Sequence, residues 1–326
     1  MRTRVTDLLG IRHPVLLGPM GGGTDARLVS AVSQAGGLGL LAASSLSLEA
    51  VEAEVAMIRE LTPMPFGLNL ILWRSADRVP FILEQQPAVL STAFGDPSPF
   101  VEMAHDAGAL HVHMVNTVPE AVAAATAGVD LIIAQGQEGG GHVGLQSTFT
   151  LVPQVVDAVD VPVVAAGGIG DGRGLAAALA LGAEGVLMGT RFLATREAPI
   201  PDGWKRAILD ASGHDTVRTS IPDYAQEAAW PPPVAARAIR NAFLDRWLGR
   251  EEEVRRLGKQ LGEKLAQARA DDDPAEMNLL SGEVVGLIGD LPSARALMER
   301  VVREAEGLLP QLAAKAAGKG APKAEA

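Results

Sequence analysis

The chain has 326 residues, 48% of them hydrophobic and 21% charged, with a formal net charge of −11 at pH 7 and no cysteine. This is enough apolar material for one large barrel or two smaller domains. The missing thiols exclude disulfides, iron–sulfur clusters, thiolate catalysis and thiolate zinc sites, and the absence of a Lys/Arg-rich face argues against nucleic acid as a partner.

The N-terminal stretch "MRTRVTDLLGIRHPV" has no apolar core of signal-peptide length. No uncharged apolar run reaches the ~18 residues of a membrane span. No membrane association is expected, and the expectation is a cytoplasmic protein. Eight short apolar runs then follow in order: 14–20, 37–44, 65–72, 88–95, 110–116, 130–136, 161–168 and 185–192. They are continuously apolar rather than alternating, as in parallel strands buried on both faces.

Helical patterns lie between the runs. In "TDARLVSAVSQAGG", Leu28, Ala31, Val32 and Ala35 fall on one stripe, with Thr24 or Asp25 as cap and Gly36 as terminator. "DPSPFVEMAHDAGA" offers Ser98 as N-cap, Pro99 at the first helical position and Gly108 as its end. Val152, Val155, Val156 and Val159 form a further stripe, and "GDGRGLAAALALGA" reads as a helix from Asp171 to Gly182. Eight strands alternating with helices predict a (β/α)₈ TIM barrel. A doubly wound open sheet is the rival, but eight units in about 190 residues favour closure.

The expected division is a barrel over 1–195, a mostly helical elaboration packed on it over 196–312, and a disordered tail over 313–326, where "AAKAAGKGAPKAEA" is rich in Ala, Lys and Gly. "IPDYAQEAAWPPP" and "ADDDPAE" interrupt the helical region.

In such a barrel the site lies at the C-terminal ends of the strands. That rule selects Met20, Asn69, Thr92, His113 or Asn116, Gln135, Gly168 and Gly189–Thr190. "AAGGIGDGRG" and "LMGTRF", after the seventh and eighth runs, offer open backbone N–H groups, and a helix beginning near Asp171 would add its positive end. Together they predict a phosphate site; tight turns alone are the plainer use of these glycines. Asn69 and Gln135 both donate and accept, which suits the edge of a planar heterocycle such as a flavin.

"AQGQEGGGHVG" (134–144) runs three glycines into His142 on the catalytic face. Bare backbone there admits a close ligand, and a neutral imidazole is a suitable general base. His13 precedes the first strand, His105 lies on a helix and His214 in a late loop. His111 and His113 share one face of the fifth strand, so one could point into the mouth. With His142 they lack a carboxylate to complete a recognisable metal pattern, and no metal site is expected. With one Tyr and seven Phe, the pocket is expected to be walled by aliphatic side chains.

"QEGGGHVG" resembles the E-A-G-G-H-x-G motif of the nitronate monooxygenase family. "PVLLGPMGG", "VSQAGGLGLL", "PFGLNL", "VPVVAAGGIGDGRGLAAALALGAEGVLMGTRFLAT" and "SGEVVGLIGD" are similar to other family blocks in the same order. FMN-dependent enoyl-ACP reductases and NAD(P)H:quinone reductases share parts of the pattern. The resemblance implies FMN contacts at Asn69, Gln135, Gly140, Gly168 and the backbone of Leu187, Met188, Gly189 and Thr190, with Met20 near the ring and His142 in the catalytic position. It implies oxidation of alkyl nitronates or nitroalkanes with O₂ to a carbonyl compound and nitrite; the alternative is an FMN-dependent NAD(P)H reductase of quinones or enoyl thioesters. A homodimer stays open. Gly139 stands where the family usually has alanine.

Overall fold

The computed structural model describes residues 1–318. Eight parallel strands form the barrel: β1 (Val15–Leu17), β2 (Gly39–Ala42), β3 (Phe66–Ile71), β4 (Val89–Ala93), β5 (Leu110–Val115), β6 (Leu131–Gln135), β8 (Val163–Ala166) and β9 (Gly185–Met188). They stand in the order β1-β9-β8-β6-β5-β4-β3-β2. Leu16 bridges to Leu38, and the Leu17 N–H donates to the Leu38 carbonyl at 2.9 Å, so β1 closes onto β2. Each of the eight apolar runs supplies one strand.

Period-2 alternation sorts the strand side chains into two layers. Leu16, Leu40, Val112, Ile133, Val164 and Leu187 fill the barrel interior, where Val5, Leu9 and Ile11 from the N-terminal segment join them. Leu17, Leu68, Leu90, Ile132, Val186 and Met188 point the other way, into the layer under the helices.

The helix Ala26–Gln34 starts as its sequence predicts, with Asp25 accepting from the Leu28 N–H at 3.0 Å. Ser98 does not cap a helix. It opens a 3₁₀ turn over Ser98–Phe100, while Asp96 Oδ1 accepts from both its N–H and its hydroxyl. The short Asp side chain satisfies that turn before the helix Val101–Asp106 begins.

Beyond the barrel the chain is helical in large part, with long helices at Glu251–Ala270 and Ala294–Ala316. The last helix thus passes the expected boundary at 312, and residues 319–326 of the expected tail lie outside the described residues. A small second sheet was not foreseen. β10 (Thr216–Thr219) and β11 (Ala235–Ile239) pair antiparallel with each other, and β11 pairs with β7 (Gly141–Val143). Ile221, Ala225, Phe243, Val254 and Leu261 gather in an apolar cluster of their own beside it. Through β7 the segment around His142 belongs to this outer layer as well as to the barrel rim.

Candidate functional site

A cavity opens at the C-terminal ends of the strands, with about 1120 Å³ of empty space, its open mouth included. Size and position suit a cofactor plus a small substrate. Met20, Asn69, Gln135, Gly140, His142, Gly168, Leu187, Gly189 and Thr190 all line it. Met188 does not. Strand alternation turns its side chain outward into the helix layer, and its carbonyl accepts from the Gly18 N–H at 2.9 Å.

The two carboxamides are held by their neighbours. Asn69 Nδ2 donates to Ser91 Oγ at 3.0 Å, which leaves its Oδ1 for the cavity. Asn116 Nδ2 donates to Gln135 Oε1 at 3.0 Å, which leaves the Gln135 amide nitrogen. The pair therefore presents one acceptor and one donor to a ligand. The hydrogen-bond network fixes these orientations.

At the ends of β8 and β9 the N–H groups of Gly168, Gly189 and Thr190 meet no acceptor among the described residues. Converging free N–H groups of this kind can hold an anion. A Cβ at Gly189 would meet only Met20 Sδ, at 3.4 Å, and its φ is not left-handed. Neither backbone nor packing demands glycine there, and the space is what a bound group would need. The helix Gly172–Ala180 takes no part. Asp171 accepts from the Arg173 and Gly174 N–H groups and Glu304 accepts from Gly172, so its first turn is already satisfied.

The glycines before His142 serve packing more than expected. A Cβ on Gly140 would lie 2.6 Å from the Gly282 nitrogen and 2.8 Å from the Ser281 backbone. The late "SGEVVG" segment crosses directly over Gly140, and the Glu283 N–H donates to the Glu138 carbonyl at 3.0 Å. At Gly139 a methyl would meet nothing closer than Val143 Cγ1 at 3.2 Å, so alanine's absence there opens little space.

His142 sits on β7, opposite Ala236 of β11. Its Nε2 lies 2.7 Å from Asp223 Oδ1, with side-chain exposures of 15% and 5%. The Trp230 ring stacks on the imidazole at 3.5 Å between centroids and 13° between planes. Bonded to a carboxylate, Nε2 carries the hydrogen, and Nδ1 is left as the free, basic nitrogen. Phe94 and Trp73 meet Trp230 edge-on at 5.0 and 5.2 Å. The wall at His142 is therefore aromatic, contrary to the aliphatic lining expected from composition: Trp73, Phe94 and Trp230 meet here.

A family model for nitronate monooxygenase matches residues 2–77 and 73–304. The chain belongs to the nitronate monooxygenase family. A Mycobacterium tuberculosis protein of comparable length, named (3aS,4S,5R,7aS)-5-hydroxy-7a-methyl-1-oxo-octahydro-1H-indene-4-carboxyl-CoA dehydrogenase, is 36% identical over 94% of this chain and 96% of its own. The solved structure of FabK from Thermotoga maritima superposes with a TM-score of 0.87 at 34% identity, covering 97% of this chain and 99% of that one. Nitroalkane oxidase from Streptomyces ansochromogenes gives 0.82 at 30% identity, over 94% and 99%. This chain is an oxidoreductase.

Within this nitronate monooxygenase fold, His111 and His113 are not at the mouth. They alternate with Val112 and Met114 and so face the helices. Thr92 Oγ1 bridges His111 Nε2 at 2.8 Å and His113 Nδ1 at 2.7 Å. Burial is the first cause that lowers His111 to about 4 and His113 to about 3, so both are neutral packing residues. Sequence reasoning missed Asp223 and Trp230. Both lie in "IPDYAQEAAWPPP", whose only visible signal was that it broke a helical pattern.

Proposed function

We propose that this chain binds FMN and oxidises alkyl nitronates and nitroalkanes with O₂ to a carbonyl compound and nitrite, with His142 as base. The observation that carries the reading is the His142–Asp223 pair on the rim of a cavity whose other walls offer free N–H groups and two oriented carboxamides. The fit to FMN rests on the uncrowded Gly189, the N–H groups beside it for the phosphate, and Asn69 with Gln135 for a polar ring edge. When bound, FMN supplies the electron-accepting chemistry.

The residues do the rest. His142 Nδ1 takes the proton from the carbon bearing the nitro group, and the resulting nitronate stays beside an imidazolium whose charge Asp223 balances. Trp230, Phe94 and Ile71 keep water from the carbon. The nitroalkane oxidase neighbour supports this substrate class.

A second reading, an FMN-dependent reductase or dehydrogenase acting on thioesters with a nicotinamide nucleotide, is favoured by the name of the 36%-identical relative. Anaerobic mixing separates the two. Bleaching of the yellow colour by ethyl nitronate, not by NADH or NADPH, supports the first; rapid bleaching by a nicotinamide nucleotide with none by nitronate overturns it. In His142→Ala, kcat/KM for the neutral nitroalkane is expected to fall by about 10²–10⁴ and that for pre-formed nitronate much less. Equal losses on both would remove His142 from the role of base.

A further inference from the structure

Along β4 the side chains alternate. Val89 fills the barrel interior and Ala93 lines the cavity, while Leu90 lies in the helix layer and Thr92 bonds His111 and His113. Continued for one more residue, this parity would turn Phe94 toward the helices. Phe94 lines the cavity instead. Its backbone is the reason: φ is 55°, in the left-handed region, so the alternation breaks at the strand end and the ring comes to the cavity. The Trp73 N–H donates to the Phe94 carbonyl at 3.0 Å and pins the turn. Gly95 gives it room, since a Cβ there would stand 2.6 Å from Leu72 Cβ.

A bulky side chain at positive φ is costly, and such an outlier at a site asks for a use. Gln86, Glu227 and Asp272 share the sign, but they are polar and none lines this cavity. Glycine or asparagine would hold the same turn with less strain. What a large apolar side chain adds is a wall. The Phe94 ring meets Trp230 edge-on at 5.0 Å, and Trp230 covers His142 at 3.5 Å between centroids. Ile71 and Ala93, register partners at the ends of β3 and β4, continue the apolar face.

We propose that Phe94 sets the length of the alkyl group the cavity accepts, admitting short straight-chain nitroalkanes and stopping longer ones; this rests on the reading of the cavity as a nitroalkane site. An alkyl group on a carbon held at His142 runs along Ile71 and Ala93 and ends against the Phe94 ring. The simpler alternative is that Phe94 only props Trp230. The two roles differ in how they depend on chain length.

Straight-chain carboxylates match a nitronate in shape and charge but do not react. Titrating them, from acetate to octanoate, into FMN-loaded protein and following the flavin absorbance reads the wall without turnover. In wild type, affinity should rise by about 3–4-fold per methylene, the worth of burying one CH₂, up to a break beyond which it falls. In Phe94→Gly, whose backbone suits the left-handed turn, the break should move outward by about two carbons or more, the room a lost phenyl ring leaves. Phe94→Leu should move it the same way by less. KM for the matching nitroalkanes should show the same break and the same shifts.

A break that stays in place in both variants, or one uniform loss of affinity along the series, overturns the proposal and leaves Phe94 as a prop for Trp230. So does the absence of any break in wild type. If Phe94→Gly does not fold, Phe94→Leu alone decides. If the carboxylates show the break and its shift while nitroalkanes are not oxidised, the nitroalkane reading falls and the length-setting wall stands. If nitroalkanes are oxidised and the break does not move, the wall alone falls. Silence of both series in flavin-loaded wild type overturns the two together.

Discussion

Acid should unfold this barrel in a window set by two histidines that do not line the cavity. His111 and His113 titrate near 6.5 when free but are lowered by burial to about 4 and about 3 in the fold. A lowered folded value means that the unfolded chain takes up protons first as pH falls. The stability contribution is fully present above about pH 6.5 and is lost as pH drops towards the folded values. Each site costs about 1.4 kcal/mol per pH unit in that window, so the pair removes roughly 5 kcal/mol between pH 6.5 and 4.5. That is a large share of the 5–15 kcal/mol, roughly, that holds a typical domain together. The carboxylates lowered by ion pairs, such as Asp290 beside Arg300 and Arg191, lose their contribution only at more acid pH. Denaturant unfolding followed by tryptophan fluorescence at half-unit steps measures the slope. In a His111→Gln/His113→Gln variant the slope should be shallower by about two protons, near 3 kcal/mol per unit. His13, also lowered by burial, is common to both chains and cancels. Parallel slopes in wild type and variant would show that the pair is protonated, or solvent-exposed, in the fold.

Two further outcomes follow from the cavity's glycines. Gly189→Val should weaken FMN binding by 10-fold or more, measured by flavin fluorescence quenching, while its unfolding temperature stays close to that of wild type, because a Cβ there meets only Met20 Sδ at 3.4 Å; unchanged FMN affinity would place the phosphate elsewhere. Gly140→Ala should destabilise the protein by about 1–3 kcal/mol, as overpacking does, because its methyl would press on the Ser281–Gly282 backbone. Gly139→Ala should cost clearly less, and a reversed order in denaturant titrations would refute the packing account.

The barrel strands were legible because each is buried on both faces and must be apolar throughout. The strand-end rule brought Met20, Asn69, Gln135, Gly168, Gly189 and Thr190 to one cavity without any knowledge of contacts, and the glycine run before it brought His142. Thr92, which the rule also selected, faces away from the cavity, because the rule counts positions along a strand but not which layer a side chain enters. The same parity sent His111 and His113 outward. β7, β10 and β11 were invisible for a different reason. "GHV", "TVRT" and "AARAI" are short, weakly patterned segments, and they become strands only through pairing with one another, Thr216 with Ile239 and, far along the chain, Gly141 with Arg237. Asp223 could not be read as a partner of His142, since 81 residues separate them and a lone Asp after Pro looks like a helix start.

The division of labour between the two layers bears on how such a site changes its chemistry. The barrel itself contributes amides, free N–H groups and apolar walls to the cavity, none of which moves a proton near neutral pH. The proposed base comes from β7, which pairs with β11 and whose imidazole is held by Asp223 and Trp230. Those two residues ride on the short helix Ile221–Ala225 and the loop after it, packed against the helix Glu251–Ala270. Gly262 permits that approach: a Cβ there would stand 2.7 Å from the Ala225 carbonyl oxygen. Substitutions along 221–234 can therefore reshape the wall beside His142 while the unclaimed N–H groups at Gly168, Gly189 and Thr190, which belong to the barrel's own strand ends, keep their geometry. This arrangement gives a physical reason why relatives of more than 30% identity carry names as different as a carboxyl-CoA dehydrogenase and FabK: one anchoring floor can serve several substrates when the reactive wall is built by a separate layer.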